Sequence, residues 1–252
     1  MFFNNLNILT FHNIDESNTD WFKAMISSLH RRIGFIDPKN LANNQNDCGL
    51  ILTFDDGYKS NAIIAEKILN PLGIKALFFV TNNFIGLSPK DSHKFAAANF
   101  FPTRLPCLKD GDLSSMNWDD IRQLKNDGHY IGAHTFTHPN LKLLHNYKSK
   151  YHEIVDSADE IEDEVRSPVV HFAYPYGNLD AVDADSIAIA KLRFRFAYSN
   201  IRGDANRSPC KHFIFRQNIV PGMSLLLLIA SILGILDIKY INIRKRAFDR
   251  FT

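Results

Sequence analysis

The chain has 252 residues, 45% of them hydrophobic, with 29 basic and 27 acidic side chains for a net charge of +2. That much apolar material excludes global disorder and suffices for one large domain or two small ones, and the charge balance leaves no electrostatic footprint for nucleic acid. The three cysteines, Cys48, Cys107 and Cys210, are far apart and odd in number, which excludes a disulfide framework and a CxxC zinc site.

The N-terminal stretch MFFNNLNILTFHNIDE has no basic region and no long apolar region, so it does not read as a secretion signal, and a cytoplasmic protein is expected. Short β-rich runs then alternate with helical patterns. Strands are expected at 7–11, 50–54, 75–80, 129–133, 169–173, 194–198 and 212–216, and helices near 19–32, 59–70, 117–127, 146–165 and 182–191. Strands separated by helices imply parallel pairing, in a barrel or a doubly wound sheet of about seven units. The segment 84–116, rich in Phe, Pro and Gly, is too long for a simple crossover and reads as an inserted loop. A last helix is expected over 223–236. The apolar run 221–238 around it is broken by Ser224, Ser231 and Gly234 and falls short of the ~20 residues that span a bilayer. It reads as a buried or docked helix, with peripheral membrane contact as the alternative.

Binding sites in parallel α/β folds sit at the carboxyl ends of strands. There the sequence places His12, the pair Asp55-Asp56, His134 and His138 of HTFTH, the stretch YPYGN (174–178), and Arg216. At a strand end with Gly57 to bend the chain, both aspartates can reach one pocket, one for a metal and one for a proton; an ordinary acidic turn is the other reading. Two histidines and a carboxylate form a three-ligand set with an open position, the pattern of catalytic rather than structural zinc.

Taken together, TFDDG (53–57), HTFTH (134–138) and FAYPYG (172–177) resemble, in order and spacing, the polysaccharide deacetylase family, also called the NodB-homology or carbohydrate esterase family 4 domain, in its FAYPYG-type branch. The likeness extends through 116–141 and 153–165, covers roughly 48–200, and reaches the first strand at ILTFHNI (8–14). It implies a distorted (β/α) barrel of about seven parallel strands, one domain over 1–252, and metal-dependent removal of N-acetyl or O-acetyl groups from a sugar. Residue by residue, Asp56, His134 and His138 match the metal ligands, Asp55 the catalytic base, and Tyr176 the position whose backbone N–H helps bind the oxyanion.

The sequence also departs from the pattern. Ala173 stands where many members carry the arginine that orients the base, and Arg216 is expected to replace it at Asp55. Trp21 and Trp118 both precede the third motif, so the later Asp/Trp motif is absent. The final Leu-x-His motif, source of the general acid, is missing as well. His212 is the only late histidine and opens a strand at the wrong end, whereas His12 is a candidate to line the site. The resulting expectation is a Zn2+-dependent deacetylase of an N-acetylated sugar in a cell-surface glycan or its precursor. Two alternatives stay open: a deformylase or other amide hydrolase on a lipid-linked aminosugar, and a non-catalytic glycan-binding protein that kept the metal site.

Overall fold

The computed structural model describes residues 5–42, 48–101 and 113–252. Cys107 and residues 102–112 of the inserted segment therefore lie outside the described residues. Seven strands form one parallel sheet: β1 (Leu6–Phe11), β2 (Gly49–Phe54), β3 (Ala76–Val80), β4 (Tyr130–Ala133), β5 (His171–Ala173), β6 (Phe196–Tyr198) and β7 (Gln217–Asn218), in the order β6-β5-β4-β3-β2-β1-β7. Helices fill the crossovers: α1 (Thr19–Arg32), α2 (Lys59–Ile64), α3 (Pro89–Asn99), α4 (Trp118–Asn126), α5 (Tyr147–Tyr151), α6 (Ser157–Val165) and α7 (Ala184–Arg193). Then come α8 (Leu225–Ile232) and α9 (Ile241–Phe251).

The architecture is a distorted (β/α) barrel. Its closure differs from the expected strand over 212–216. That segment makes only a single parallel bridge, Ile214 to Tyr198, and its ladder begins at Gln217, which pairs with Leu9. The segment passes from β6 to β1 and serves both. Ile214 N–H donates to Ala197 O (2.9 Å) and Ser199 N–H to Ile214 O (2.8 Å), while Ile219 N–H donates to Thr10 O (2.9 Å). A chain handing over between two short edges cannot run a long ladder with either.

Side-chain alternation divides the core in two. Leu6, Ile8, Ile51, Leu77, Phe79, Ala173, Phe196, Tyr198 and Ile214 fill the barrel interior. The intervening residues, such as Leu9, Phe11, Leu52, Phe54, Phe78 and Phe172, pack outward against Phe22, Ile26, Ile64, Ile121 and Ile161 of the helices. Burial on both faces is why the strands read as almost unbroken apolar runs.

Two further expectations are corrected. The segment 84–116 is not a bare loop: it carries α3, started by Pro89 in its first turn and by Ser88, whose hydroxyl accepts from Asp91 N–H (3.2 Å). Its Phe84, Phe95 and Phe100 form a small core with Tyr58, Ala96 and Leu113. The helix expected over 223–236 ends early, because Gly234 takes the left-handed conformation (φ 74°) and stops α8. A 3-10 stretch (Ile235–Tyr240) leads into α9, and the two arms are bent by 63°. Among the described residues, no single helix is long and apolar enough to cross a membrane.

Gly132 on β4 lies under the Phe79 ring, where an added Cβ would come within 2.5 Å of Cδ1 and 3.1 Å of His171 O. The barrel interior cannot yield on both sides. Gly132→Ala should therefore lower stability by about 1–3 kcal/mol, read as a fall in thermal midpoint.

Candidate active site

The inward-facing register that fills the barrel continues upward into the site. Position 51 is apolar, Thr53 is next, and Asp55 follows two residues on, its N–H extending the ladder to Phe11 O (2.9 Å). The same register brings Tyr130, Gly132 and His134 inward from β4, and Ile214 and Arg216 from the closing segment. Asp55 and Arg216 meet inside the barrel mouth as a bidentate pair, Nη1–Oδ1 and Nη2–Oδ2 both 2.8 Å. Arg216 is 1% exposed, and two of its other N–H groups are used as well: Nε donates to Ser199 O (2.8 Å) and Nη1 to Thr53 Oγ1 (3.2 Å). Burial alone would raise the Asp55 pKa; the Arg216 charge and hydrogen bonds, helped by His134 and His12, overcome it and hold the pKa at about 2. Asp55 is thus ionised throughout the neutral range.

Asp56 would face outward if the strand continued. Instead its φ turns positive (78°), and Gly57 (φ 102°) completes the bend in a space where a Cβ would strike Ile85. The turn swings the second carboxylate back over the barrel mouth. Asp56 Oδ1 then lies 3.5 Å from His134 Nε2 and 3.8 Å from His138 Nε2, and the three potential ligand atoms are all within 4.8 Å of one another.

Hydrogen bonds at the far side of each imidazole set its tautomer. His134 Nδ1 donates to Ala173 O (2.7 Å) and His138 Nδ1 to Asn99 O (3.1 Å). Both Nε2 atoms therefore carry lone pairs, and both are aimed at Asp56 Oδ1. Burial, then the neighbouring His134, pushes the His138 pKa down to about 4, so this ring stays neutral at physiological pH. Asp56 Oδ1 is itself buried without a hydrogen-bond partner among the described residues. An unpaired carboxylate oxygen facing two imidazole lone pairs is electrostatically unfavourable unless a cation joins them, so the donor set fits a divalent metal.

The HTFTH turn is strained to make this geometry. Thr135 (φ 68°) and His138 (φ 59°) both have left-handed backbones, as does Tyr176 (φ 59°) in the third motif. Glu153, from the helical stretch between α5 and α6, clamps the turn by accepting from Phe136 N–H (2.9 Å), Thr137 N–H (3.0 Å) and Thr137 Oγ1 (2.7 Å). Asn99 O, at the end of α3, accepts from both His138 and the Tyr176 hydroxyl (2.6 Å). Sequence reasoning missed Glu153 and Asn99. Glu153 sits in a charged helix with nothing to mark it, and Asn99 acts through its backbone.

Asp55, Asp56, His134, His138 and Arg216 line a cleft of about 490 Å³. His12 lines it too, at the end of β1, together with Tyr176, Asn13, Asp15, Asn178 and Asn200. His212 does not: it is buried elsewhere, with Nε2 at Phe194 O (3.1 Å).

With this geometry in hand, comparison with known proteins is decisive. The family profile for polysaccharide deacetylase matches residues 42–194. The chain belongs to the polysaccharide deacetylase family. Its members hydrolyse carbon–nitrogen bonds other than peptide bonds. The deacetylase is 23% identical over 232 residues to YxkH of Bacillus subtilis (strain 168), a protein named for the same family, covering 87% of this chain and 73% of that one. Among solved structures, it resembles IcaB from Ammonifex degensii with a TM-score of 0.72 at 20% identity, covering 91% of this chain and 97% of that one. Streptococcus pyogenes deacetylase PplD, solved with acetate, superposes with a TM-score of 0.69 at 19% identity, covering 92% and 99%. At that identity, the structural likenesses establish the fold.

Arg216→Met would leave Asp55 buried without its partner, and a loss of about 3–5 kcal/mol at neutral pH is expected. In the unaltered deacetylase, Asp55 has a folded pKa of about 2 against an ordinary 3.8, so its contribution is complete above that ordinary value and is lost as pH falls between the two. In Arg216→Met burial acts unopposed and raises the Asp55 pKa, so the stability gap between the two proteins, read by denaturant unfolding, should narrow as pH falls from neutral toward the acid range.

Proposed function

We propose that this deacetylase removes N-acetyl groups from a carbohydrate, in a cell-surface glycan or its precursor, with a divalent metal held by Asp56, His134 and His138. The observation that carries this reading is the buried, unpaired Asp56 Oδ1 facing two Nε2 lone pairs, directly beside an ionised Asp55. The neutral imidazoles and single carboxylate favour zinc. When bound, such an ion supplies Lewis acidity at the acyl carbonyl and at the attacking water.

The chain's own residues divide the remaining work. The Asp55 carboxylate, oriented by Arg216, takes the proton of the attacking water. The backbone N–H of Tyr176, on the strained turn at the cleft wall, is assigned to the oxyanion that develops on the acyl oxygen. As the C–N bond breaks, the amine nitrogen needs a proton. His12 is the cleft-lining histidine not committed to the ligand set, so we assign the donation to it. The products are a carboxylate and a free amine, and the acetate in the PplD structure has the chemistry of the first.

One observation favours a lipid-linked substrate as a second reading. Ile219, Val220 and Pro221 form one wall of the cleft, and the chain then leads directly to Leu226; Val220 is 59% exposed and Leu226 80%. An apolar rim beside a polar cleft suits a sugar presented from a membrane surface. Leu226→Ser with Leu227→Ser, both exposed and outside the cleft lining, should then reduce sedimentation with lipid vesicles and leave turnover of a soluble N-acetyl sugar unchanged.

Release of acetate or formate from N-acyl sugars, with and without a chelator, tests the main reading and separates it from deformylation and from glycan binding without catalysis. Asp55→Asn should keep one equivalent of metal and lose about 10²–10⁴ in rate. Asp56→Asn, like the double variant His134→Ala/His138→Ala, should lose metal by elemental analysis and turnover together. Equal metal loss in Asp55→Asn and Asp56→Asn would show that the two roles are wrongly divided.

A further inference from the structure

Tyr58 closes the turn that carries Asp55 and Asp56. Its ring is fully buried, edge-on against Phe84 (centroids 5.3 Å apart) and Phe100 (5.8 Å). Phe100 in turn meets the His138 ring edge-on at 4.9 Å. Tyr58 is thus wedged between the ligand set and the core contributed by α3. Its hydroxyl is sealed from solvent and, among the described residues, has no partner at hydrogen-bonding geometry. Packing does not require that oxygen, because a phenylalanine ring would fill the same slot, and an unpaired buried hydroxyl is costly to keep.

The carboxylate on the same turn is Asp56, two residues back across the bend at Gly57, and its Oδ1 is likewise buried and unpaired among the described residues. A protonated phenol can donate, and an ionised carboxylate can only accept. The three ligand residues also differ in their outer support. His134 is held from behind by Ala173 O and His138 by Asn99 O. Among the described residues Asp56 Oδ1 has no such partner, and its residue sits on a left-handed turn rather than in a strand ladder. Carboxylates that ligate metals are normally hydrogen-bonded by an outer group.

We propose that Tyr58 is a positioning residue for the metal ligand Asp56: its hydroxyl donates to the Asp56 carboxylate when that carboxylate engages a divalent cation. The inference rests on the metal reading above. It gives the inserted segment a second part in the site, since Phe84 and Phe100 fix the plane of the Tyr58 ring and hence the direction of its hydroxyl.

The test is Tyr58→Phe in the full chain, stripped with chelator and titrated with Zn2+ against a competing indicator. The zinc Kd should weaken by about 10- to 100-fold. The thermal midpoint of the stripped protein should stay the same or rise, because an unpaired buried hydroxyl has been removed. An unchanged zinc Kd overturns the proposal, since a merely structural tyrosine would move only the midpoint. A Tyr58→Phe chain that fails to fold also overturns it, by showing that the hydroxyl already serves the fold. If the unaltered chain binds no zinc, the metal reading falls and this proposal with it, an outcome distinct from equal binding by both proteins.

Discussion

The buried pair of Asp55 and Arg216 is the interaction on which the rest of the active end depends. A carboxylate sealed inside a barrel mouth is unfavourable by several kcal/mol unless its charge is matched and its lone pairs are used. Arg216 does both through two 2.8 Å hydrogen bonds, and two of its three remaining N–H groups are taken up by Ser199 O and Thr53 Oγ1. The same arginine lies on the segment that joins β6 to β1. Closure of the barrel and orientation of the proposed base are therefore one structural event. This also explains how a chain with alanine at position 173 keeps a paired Asp55: the cation arrives from the closing segment and not from β5, whose Ala173 contributes a backbone carbonyl that orients His134.

Around that pair the site is assembled from strained turns. Asp56, Thr135, His138 and Tyr176 all have positive φ, at a cost on the order of 1–3 kcal/mol each. Such strain persists only where the surroundings over-determine the backbone. Glu153 supplies that constraint for the HTFTH turn with three hydrogen bonds, and Thr135 Oγ1 adds one to His138 N–H (3.0 Å). For Tyr176, the neighbouring Gly177 passes so close to Asn200 that a Cβ would lie 2.4 Å from its backbone nitrogen. The left-handed turns share one consequence. Each redirects a side chain that strand or helix geometry would have sent elsewhere, which is how Asp56 joins the cleft that Asp55 enters by register alone.

The inserted segment makes the site more than a set of strand ends. Ridges of aromatic rings on Phe84, Phe95 and Phe100 dock α3 beside Tyr58, and the terminal carbonyl of α3 receives hydrogen bonds from both His138 and Tyr176. Carbonyls in the last turn of a helix lack intrahelical partners and carry partial negative charge. Asn99 O is therefore a good acceptor for an imidazole N–H, and it favours the tautomer that leaves Nε2 free. The geometry of a ligand contributed by β4 is in this way set by a helix that lies outside the repeating β/α units.

Local sequence chemistry determined a great deal by itself. Apolar runs four to six residues long placed β1 to β4 to within a residue or two, since strands buried on both faces must be apolar throughout. The polar residues that end those runs, Asp55, Asp56, His134 and His138, were legible because a polar group at such a position has few structural uses. Arg216 was legible by the same logic, as a cation at the end of an inward-facing run. Only the tertiary structure decided the rest. Gly234 divided the C-terminal helix through a left-handed turn that hydrophobicity does not encode, and the closing segment gave up its ladder because it had to serve two edges. Glu153, Asn99 and Tyr58 act from a charged helix, through a backbone carbonyl and from within an aromatic cluster, so composition and spacing carry no mark of them. Their positions follow from contacts between residues far apart in the chain, and those contacts exist only once the barrel has closed.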